Sequence, residues 1–355
     1  MSFSYGKNIK IQLDGGSHEN AVSVSIEGIP AGIPVDMNEL QTMQNRRAPG
    51  HGVLSTARKE SDVPDIQGGL IPADNTENGS SKEADTIPAD PAAKRNILIS
   101  TGQTICASFP NADVRPQDYE RWIPRPSHGD YTAWVKAGSI GPIPSGGATS
   151  ARMTVGLVFA GAICLQILKR QGITIQAEAE LPKAQERAGE GDSFGGFVRC
   201  SVQNLPVGLG ESYFDGLESR ISSAIFAIPA AKGIEFGEGF ASGEMLGSEY
   251  NDAFYFDADG AVKTKTNHCG GILGGMANGM PLTFRIVFKP TPSIAKEQDS
   301  IDLSTRTNTK LKLNGRHDKC VVPRAVPIVE AVTAIALLDL MIEEGRIPWK
   351  NSENV

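Results

Sequence analysis

Three stretches of the chain alternate apolar and polar residues with the period of a β-strand. They cover residues 22–27, 198–203 and 282–289, and Val22 and Val24 show the alternation in the first of them. Because successive side chains of a strand point to opposite faces, each stretch predicts a strand with one buried and one solvated face. Strands of this kind are typical of antiparallel or mixed sheets.

Three other stretches carry apolar residues three or four positions apart, the spacing that predicts a helix. Residues 152–170 are apolar almost all round and predict a buried central helix, and residues 325–344 predict a long C-terminal helix. The third stripe consists of Phe214, Leu217, Ile221 and Ile225. A shorter helix is expected over 38–45. Since these elements do not alternate as strand–helix–strand units, the pattern favours an α+β fold, with mixed or antiparallel sheets around buried helices, in one domain over 1–355.

Two polar segments interrupt this pattern. Residues 72–93 contain one large apolar residue, Ile87, among many acidic, amide, serine and proline residues. Such a segment buries too little apolar surface to offset the entropy cost of ordering, so a mobile insertion is predicted. Residues 296–312 are similarly polar and predict a long loop beside a site, because long loops in compact domains often act as lids.

The charge and the cysteines limit the classes of partner and compartment. The 355-residue chain has a formal net charge of -7 and a pI near 5.4, so neither nucleic acid nor an anionic membrane is an expected partner. The longest apolar stretch, 155–168, is shorter than a membrane-spanning helix, and no secretory signal pattern is present. The five cysteines are scattered and predict free thiols. These features together predict a cytoplasmic protein.

All five histidines have a glycine within two residues, which predicts tight loops for side chains that change charge near neutral pH. His18 follows Ser17 in a Gly-Gly-Ser-His turn, and His128 lies within 125–131 together with a guanidinium and a carboxylate. With 39 glycines in the chain, chance explains part of this pattern. A turn with a solvent-facing histidine is the alternative interpretation for His18.

Two further segments could bind anions. Arg46 and Arg47 precede a Pro-Gly turn, and arginine pairs suit bidentate recognition of phosphate or carboxylate. Residues 145–150 form a Gly- and Ser-rich loop that opens a predicted helix, where backbone N–H groups could hold a phosphate. A solvated arginine pair and an ordinary helix cap are the alternatives. The sequence lacks a Gly-Lys-Thr phosphate loop and a His-Glu-x-x-His zinc pattern, which disfavours ATP and metal chemistry.

The order of the motifs resembles that of chorismate synthase. Arg-Arg-x-Pro-Gly begins at Arg46, Arg-Pro-x-His-x-Asp-Tyr-Thr at Arg125, and Gly-Gly-x-x-Ser-Ala-Arg at Gly146. Asn-His-x-Gly-Gly-Ile-Leu-Gly-Gly follows from Asn267, and Gly-Arg-His-Asp-x-Cys-x-x-x-Arg-Ala-Val-Pro from Gly315. The resemblance runs from about residue 6 to residue 341 and implies the family's β-α-β sandwich, assembled as a homotetramer.

The resemblance implies an enzyme of the shikimate pathway, which leads to the aromatic amino acids. It would convert 5-enolpyruvylshikimate 3-phosphate to chorismate and phosphate by anti-1,4-elimination, using reduced FMN without net redox change. His18 would protonate the departing phosphate, His128 would protonate the reduced flavin, and Asp318 would help the flavin N5 act as base. No metal is implied.

The resemblance also assigns binding residues. The phosphate and carboxylates of the substrate would be met by Ser17, Arg47, Arg125 and Arg152. FMN would be held by Thr149, Ser150, Ala230, Gly274, Lys289, Thr291, Ser293 and Arg316, with Lys289 at its phosphate.

Four positions depart from the family pattern. The usual Gly-Glu-Ser-His-Gly is Gly-Gly-Ser-His-Glu here, so an acid is missing at Gly16 and one is added at Glu19. An arginine common in the glycine-rich loop is Ala148, and a basic residue frequent after the Arg-Pro-Gly turn is Val53. Because a charge-assisted hydrogen bond contributes roughly 1.5–3 kcal/mol, two missing cations would weaken the binding of a polyanionic substrate unless other residues replace them.

Two alternatives stay open at this point. A divergent paralogue would bind flavin but act on another phosphorylated ring, and a non-catalytic assembly protein would keep only the fold and the oligomer interface. No extra domain is left over for a fused flavin reductase. Reduced flavin is therefore expected from a separate reductase or another source.

Overall fold

The structure, a computed structural model, describes residues 3–50, 54–56, 58–75, 96–113, 120–143, 147–313 and 317–347. The strands of the N-terminal half are β1 Phe3–Tyr5, β2 Lys10–Gly15, β3 Ala21–Glu27, β4 Ala31–Asp36, β5 Asp65–Gly68, β6 Leu70–Pro72, β7 Ile97–Thr101 and β8 Ile105–Pro110. Those that follow are β9 Thr174–Glu180, β10 Gly196–Gln203, β11 Ala231–Phe236, β12 Phe254–Phe256, β13 Val262–Thr264, β14 Ile272–Leu273, β15 Met276–Ala277, β16 Leu282–Phe288, β17 Gln298–Asp302 and β18 Thr307–Leu311. The α-helices are α1 Met37–Arg47, α2 Asp130–Lys136, α3 Thr154–Arg170, α4 Ala184–Arg187, α5 Leu217–Ile225, α6 Gly247–Tyr250 and α7 Val322–Glu343.

The strand pairs recorded in the described residues are antiparallel. One sheet has five strands in the order β1-β2-β3-β8-β5, a second has four in the order β11-β16-β10-β9, and a third has three in the order β4-β7-β6. In the five-stranded sheet, Val24 of β3 lies between Leu13 of β2 and Ala107 of β8. These three apolar residues are buried and share one face, so the sheet has a continuous surface on which helices can pack.

Two long apolar helices fill the space between the two larger sheets. Helix α3 packs on β2, β3 and β8, helix α7 packs on β9 and β10, and the two helices pack against each other. At their contact, a Cβ atom on Gly161 would overlap the Cβ and backbone of Ala331, so the helices approach as closely as they do because residue 161 has no side chain. The predicted α+β fold with buried central helices is confirmed as a sheet–helix–sheet sandwich.

The sequence predicted the long elements and failed at some short ones. The three alternating stretches are β3, β10 and β16, and the four predicted helices correspond to α1, α3, α5 and α7. The inclusion of Phe214 in the helical stripe was wrong, because it lies before α5 in a 3-10 turn, 92% exposed. The predicted loop over 296–312 was also wrong, because β17 and β18 form a hairpin there.

The predicted insertion over 72–93 falls almost wholly outside the described residues. Pro72 ends β6, and Ala73–Asn75 form a 3-10 turn. The mobility of the insertion stays a prediction. The five cysteines are free, as predicted. Two helices, over Ala151–Arg170 and Val322–Glu343, are long and apolar enough to cross a membrane by composition, but their apolar windows are 83% and 94% buried inside the protein. They are the core helices of the sandwich.

Candidate active site

One cavity of about 230 Å³ collects most of the residues that the sequence singled out. Its lining includes His18, His128, Asp318, Ser17, Arg47, Arg125, Arg152, Thr149, Ser150, Ala230, Thr291 and Ser293. Gly274 and Lys289 are not part of the lining, and Arg316 lies outside the described residues. Segments from the whole length of the chain therefore converge on one place.

The secondary structure explains this convergence. Helix α1 ends at Arg47, Arg152 lies in the 3-10 turn Ala151–Met153 that leads into α3 at Thr154, and Arg324 lies in the first turn of α7. The N-terminal turns of α3 and α7 contribute Thr154, Arg324 and Ala325 to the lining. Because the N-terminus of a helix carries partial positive charge and backbone N–H groups, both long core helices favour an anion in the cavity.

A buried carboxylate joins two of the lining arginines. Asp62 accepts hydrogen bonds from Nε of Arg47 at 2.9 Å and from Nη2 of the same side chain, and its other oxygen accepts one from Nη1 of Arg152. Asn111 and the carbonyl of Pro110 accept from Nε and Nη2 of Arg152 at 2.8 and 3.1 Å. Burial lowers the pKa of Arg47 to about 10, and the nearby cations act in the same direction, whereas Asp62 opposes them. Both guanidiniums are thus fixed before any ligand binds.

A second acid and arginine lie beside this pair. Arg58 donates from Nε to Oε1 of Glu60 at 2.9 Å, and both residues line the cavity. The side chain of Glu60 is buried, and its Oε2 accepts the backbone N–H of Ala112 at 3.0 Å. The Glu60 carboxylate therefore anchors Arg58 to the strand end near residue 112.

His128 lies between a carboxylate and a guanidinium. Its Nδ1 is 2.7 Å from Oδ1 of Asp130, while Nη2 of Arg125 lies 3.0 and 3.2 Å from the two ring nitrogens. Arg125 donates from Nε to Oδ2 of Asp130 at 2.7 Å and from Nη1 to Oγ of Ser293 at 3.1 Å. Burial opposes the ionisation of Asp130, but the hydrogen bonds from Arg125 and His128 outweigh it and hold the pKa of Asp130 well below its usual value.

His18 is held by the turn that the sequence predicted. Ser17 Oγ lies 3.2 Å from Nδ1 of His18, and the backbone N–H of Ser17 donates to the carbonyl of Gly147 at 3.3 Å. Nδ2 of Asn111 donates to the carbonyl oxygens of Gly16 and Glu19 at 3.0 and 2.8 Å. The turn is therefore fastened both to the loop before α3 and to the end of β8.

Asp318 lines the cavity, and both of its carboxylate oxygens accept hydrogen bonds. Its Oδ1 accepts the backbone N–H of Thr56 at 2.8 Å and Nη1 of Arg324 at 3.1 Å, and Oδ2 accepts the same Nη1 at 2.8 Å. Arg324 also donates from Nε to the carbonyl of Arg47 at 2.9 Å. Arg324 thereby ties the end of α1 to the start of α7.

The segment after β16 forms another wall. Ser293 is buried, and Oγ1 of Thr291 is buried with no hydrogen-bond partner within the part of the chain that the structure describes. Lys289 donates from Nζ to the carbonyl of Ser127, next to His128. Burial and the charge of Lys232 lower the pKa of Lys289. Gly274 lies in the turn between β14 and β15, so its assigned role stays a prediction.

Some of the departures from the family pattern have structural counterparts. A Cβ atom on Gly16 would lie 3.2 Å from Oε1 of Glu19, so the added acid occupies the space beside the position where one is missing. Arg58 and Arg324 also line the cavity and supply cations there. Val53 lies outside the described residues.

Four functional candidates were missed by the sequence reasoning: Arg58, Glu60, Asp62 and Arg324. The available signal was the alternation Arg-x-Glu-x-Asp over 58–62, in which the acids at 60 and 62 are buried and Ser61 is exposed. In an isolated sequence, alternating charges are typical of a solvated segment, and only the fold shows that the acids point inward.

Comparison with known proteins agrees with the geometry. The chain matches the family model for chorismate synthase over residues 9–181 and 178–342. It is 39% identical to the chorismate synthase of Dehalococcoides mccartyi, with 98% of this chain and 99% of the relative covered. The identity is 41% to that of Chitinophaga pinensis, with 97% of each covered, and 35% to that of Methanocaldococcus jannaschii, again with 97% of each covered.

A crystal structure of a chorismate synthase has the same fold. It superposes with a TM-score of 0.65 at 21% sequence identity and covers 96% of this chain and 93% of its own. At that identity the likeness speaks to the fold alone. From the full-length relatives and the match of the family model, the chain belongs to the chorismate synthase family.

Proposed function

We propose that the cavity is the active site in which this carbon–oxygen lyase eliminates phosphate from 5-enolpyruvylshikimate 3-phosphate and forms chorismate, with reduced FMN as cofactor. The observation that carries the proposal is the gathering of His18, His128, Asp318 and five arginines around one cavity of an acidic protein. Such a local cluster of cations attracts an anionic substrate to this cavity despite the net negative charge of the protein.

The arginines suit the charges of the substrate, which carries a phosphate and two carboxylates. Guanidinium groups bind both kinds of anion through paired N–H donors. Arg47 and Arg152 on one side and Arg125 on another have their buried faces fixed by carboxylates, so their remaining donors keep a set orientation. Pre-organised donors cost little to align when the ligand binds.

The two histidines hold protons at separate places. His18, supported by Ser17 at Nδ1, is placed to hold a proton for the departing phosphate. At His128 the contact to Asp130 fixes Nδ1 as a donor and leaves Nε2 as the nitrogen that exchanges a proton. Arg125 places a positive charge beside the His128 ring, and the ion pair with Asp130 compensates the charge of Arg125.

The lining also fits a flavin. Thr291 Oγ1 is a buried donor and acceptor that lacks a partner among the described residues, and Ala230 has a φ of 72°, which brings its backbone to the cavity in a left-handed conformation. The residues that would hold FMN are Thr149, Ser150, Ala230, Thr291 and Ser293, with Lys289 near the phosphate. When bound, reduced FMN supplies an electron-rich ring and a nitrogen that accepts the proton of the non-activated C–H bond. Asp318, whose carboxylate is oriented by Arg324, would accept a proton on one of its oxygens.

The direct test is anaerobic turnover of the substrate with FMN and dithionite, followed by chorismate absorbance and phosphate release. We expect both products, and their loss in His128→Ala. His268→Ala is a matched control, because His268 does not line the cavity. Flavin binding without product would favour the divergent paralogue, and absence of flavin binding would favour the assembly protein.

The setting of the enzyme is part of the proposal. We place it in the cytoplasm, with a separate reductase or another source of reduced flavin, and as a homotetramer. Support for the assembly comes from the large aromatic side chains exposed within residues 213–256. They are Tyr213, Phe214, Phe226, Phe240, Phe254, Tyr255 and Phe256, and Phe214 is 92% exposed. Association of identical chains would bury such surface.

A further inference from the structure

Asp62 contacts the cavity only through other side chains. Its own side chain is completely buried, and it is not part of the cavity lining, whereas its two partners Arg47 and Arg152 both are. Each arginine has five N–H donors, and the contacts to Asp62, Asn111 and Pro110 engage some of them. These hydrogen bonds fix the orientation of both guanidinium groups and therefore of the N–H donors that remain.

The backbone conformation at Asp62 is consistent with a functional role for its carboxylate. Asp62 has a φ of 50°, a left-handed conformation that residues with a Cβ rarely adopt outside functional or turn positions. The neighbours Ser61 and Val63 are exposed, whereas Asp62, like Glu60, is buried, so the segment directs one carboxylate between the two guanidiniums. Without that charge, Arg47 would lose this carboxylate partner and Arg152 would keep Glu60, whose Oε2 is 4.0 Å from its Nη2. The two buried cations would then be less well compensated.

We propose that Asp62 is the positioning residue of the substrate site: it holds Arg47 and Arg152 side by side, so that both guanidiniums present their remaining N–H donors to one anionic group. The proposal rests on the proposed function of the cavity. It goes beyond that function in assigning a role to a residue that does not touch the ligand.

The test is the Asp62→Asn variant, since asparagine has the same shape and tolerates the left-handed backbone but has lost the charge. We expect KM for 5-enolpyruvylshikimate 3-phosphate to rise at least tenfold while kcat falls less than threefold. Asp339→Asn is the matched control, because Asp339 is also buried and paired with an arginine, Arg220, but lies outside the cavity lining. Its KM should stay within twofold of the unmodified enzyme.

A rise in KM of less than threefold, or an equal rise in Asp339→Asn, would overturn the proposal. If Asp62→Asn does not fold, the comparison is made between Arg152→Gln and the double variant Arg152→Gln/Asp62→Asn, in which one cation and one anion are removed together. A further threefold rise in KM from the second change supports the proposal through Arg47, and an unchanged KM refutes it. Failure of the unmodified enzyme to turn over the substrate would instead refute the proposed function.

Discussion

His128 and Asp130 are joined by a contact of 2.7 Å between Nδ1 and Oδ1, on a loop where the same carboxylate also binds Arg125. Because asparagine has one accepting oxygen instead of two, Asp130→Asn cannot accept from both His128 Nδ1 and Arg125 Nε, and it loses the charge that fixes the tautomer of His128. We expect kcat to fall by roughly 10²-fold, as for other acid–base histidines that lose their orientation. Steady-state kinetics under anaerobic conditions measure the change. Asp36→Asn, which alters a helix cap at α1, should leave kcat within twofold, and an unaltered kcat in Asp130→Asn would contradict the assigned role.

The same carboxylate predicts an acid dependence of stability. The pKa of Asp130 is held below its ordinary value of 3.8, so the ionised form stabilises the fold at every pH above that value, and this stabilisation is lost as the pH falls through the lower folded-state pKa. We expect Asp130→Asn to reduce the free energy of unfolding at neutral pH and the deficit to shrink below pH 3.8. Urea unfolding over a pH series measures it. A deficit that stays constant into strong acid would exclude this linkage.

The Arg46–Glu330 pair connects α1 to α7. Arg46 donates to both oxygens of Glu330, at 2.6 and 3.1 Å, and the backbone N–H of Ala177 donates to Oε1 at 3.0 Å. Glu330 is buried but the Arg46 side chain is 41% exposed, so Glu330→Gln leaves a solvated cation and should lower the free energy of unfolding by about 1.5 kcal/mol. The exposed pair of Lys169 and Glu39 provides the control, and Glu39→Gln should cost less than ~0.5 kcal/mol in the same urea titration. Equal losses in both variants would mean that burial does not matter here.

Gly161 tests the close approach of the two core helices. In Gly161→Ala the new methyl group would overlap Ala331, so we expect a loss of about 1–3 kcal/mol despite the higher helix propensity of alanine. Gly243→Ala is the control, since a Cβ at that position meets no atom within 4 Å. Thermal unfolding of both variants is the measurement, and a neutral Gly161→Ala would show that the helices can move apart without cost.

The exposed aromatic residues predict association. Phe254 and Phe256 lie on strand β12, 63% and 75% exposed. If identical chains cover them, Phe254→Ser/Phe256→Ser should shift the assembly toward smaller species in light scattering, because the apolar area that association buries is lost. Ile140→Ser removes a comparably exposed apolar residue outside that segment and should leave the assembly unchanged. A tetramer that survives the double change would place the interface elsewhere.

The sequence predicted those parts of the molecule that depend on neighbours in sequence. Periodic burial identified α3, α7 and β16, and the glycine turn identified His18, because each signal lies within a few residues. The role of Asp62 was not predicted from the sequence, since its partners Arg47 and Arg152 are 15 and 90 residues away. The β17–β18 hairpin escaped for a different reason: its strands are mostly solvent-facing, so they lack the apolar alternation that marks a half-buried strand.

Both long helices begin at the cavity, and they meet where Gly161 lacks a side chain. A change in the distance between these two helices would therefore displace Arg152 and Arg324 together. A substitution in the core between the helices would in this way alter the affinity of the cavity for its anionic ligand.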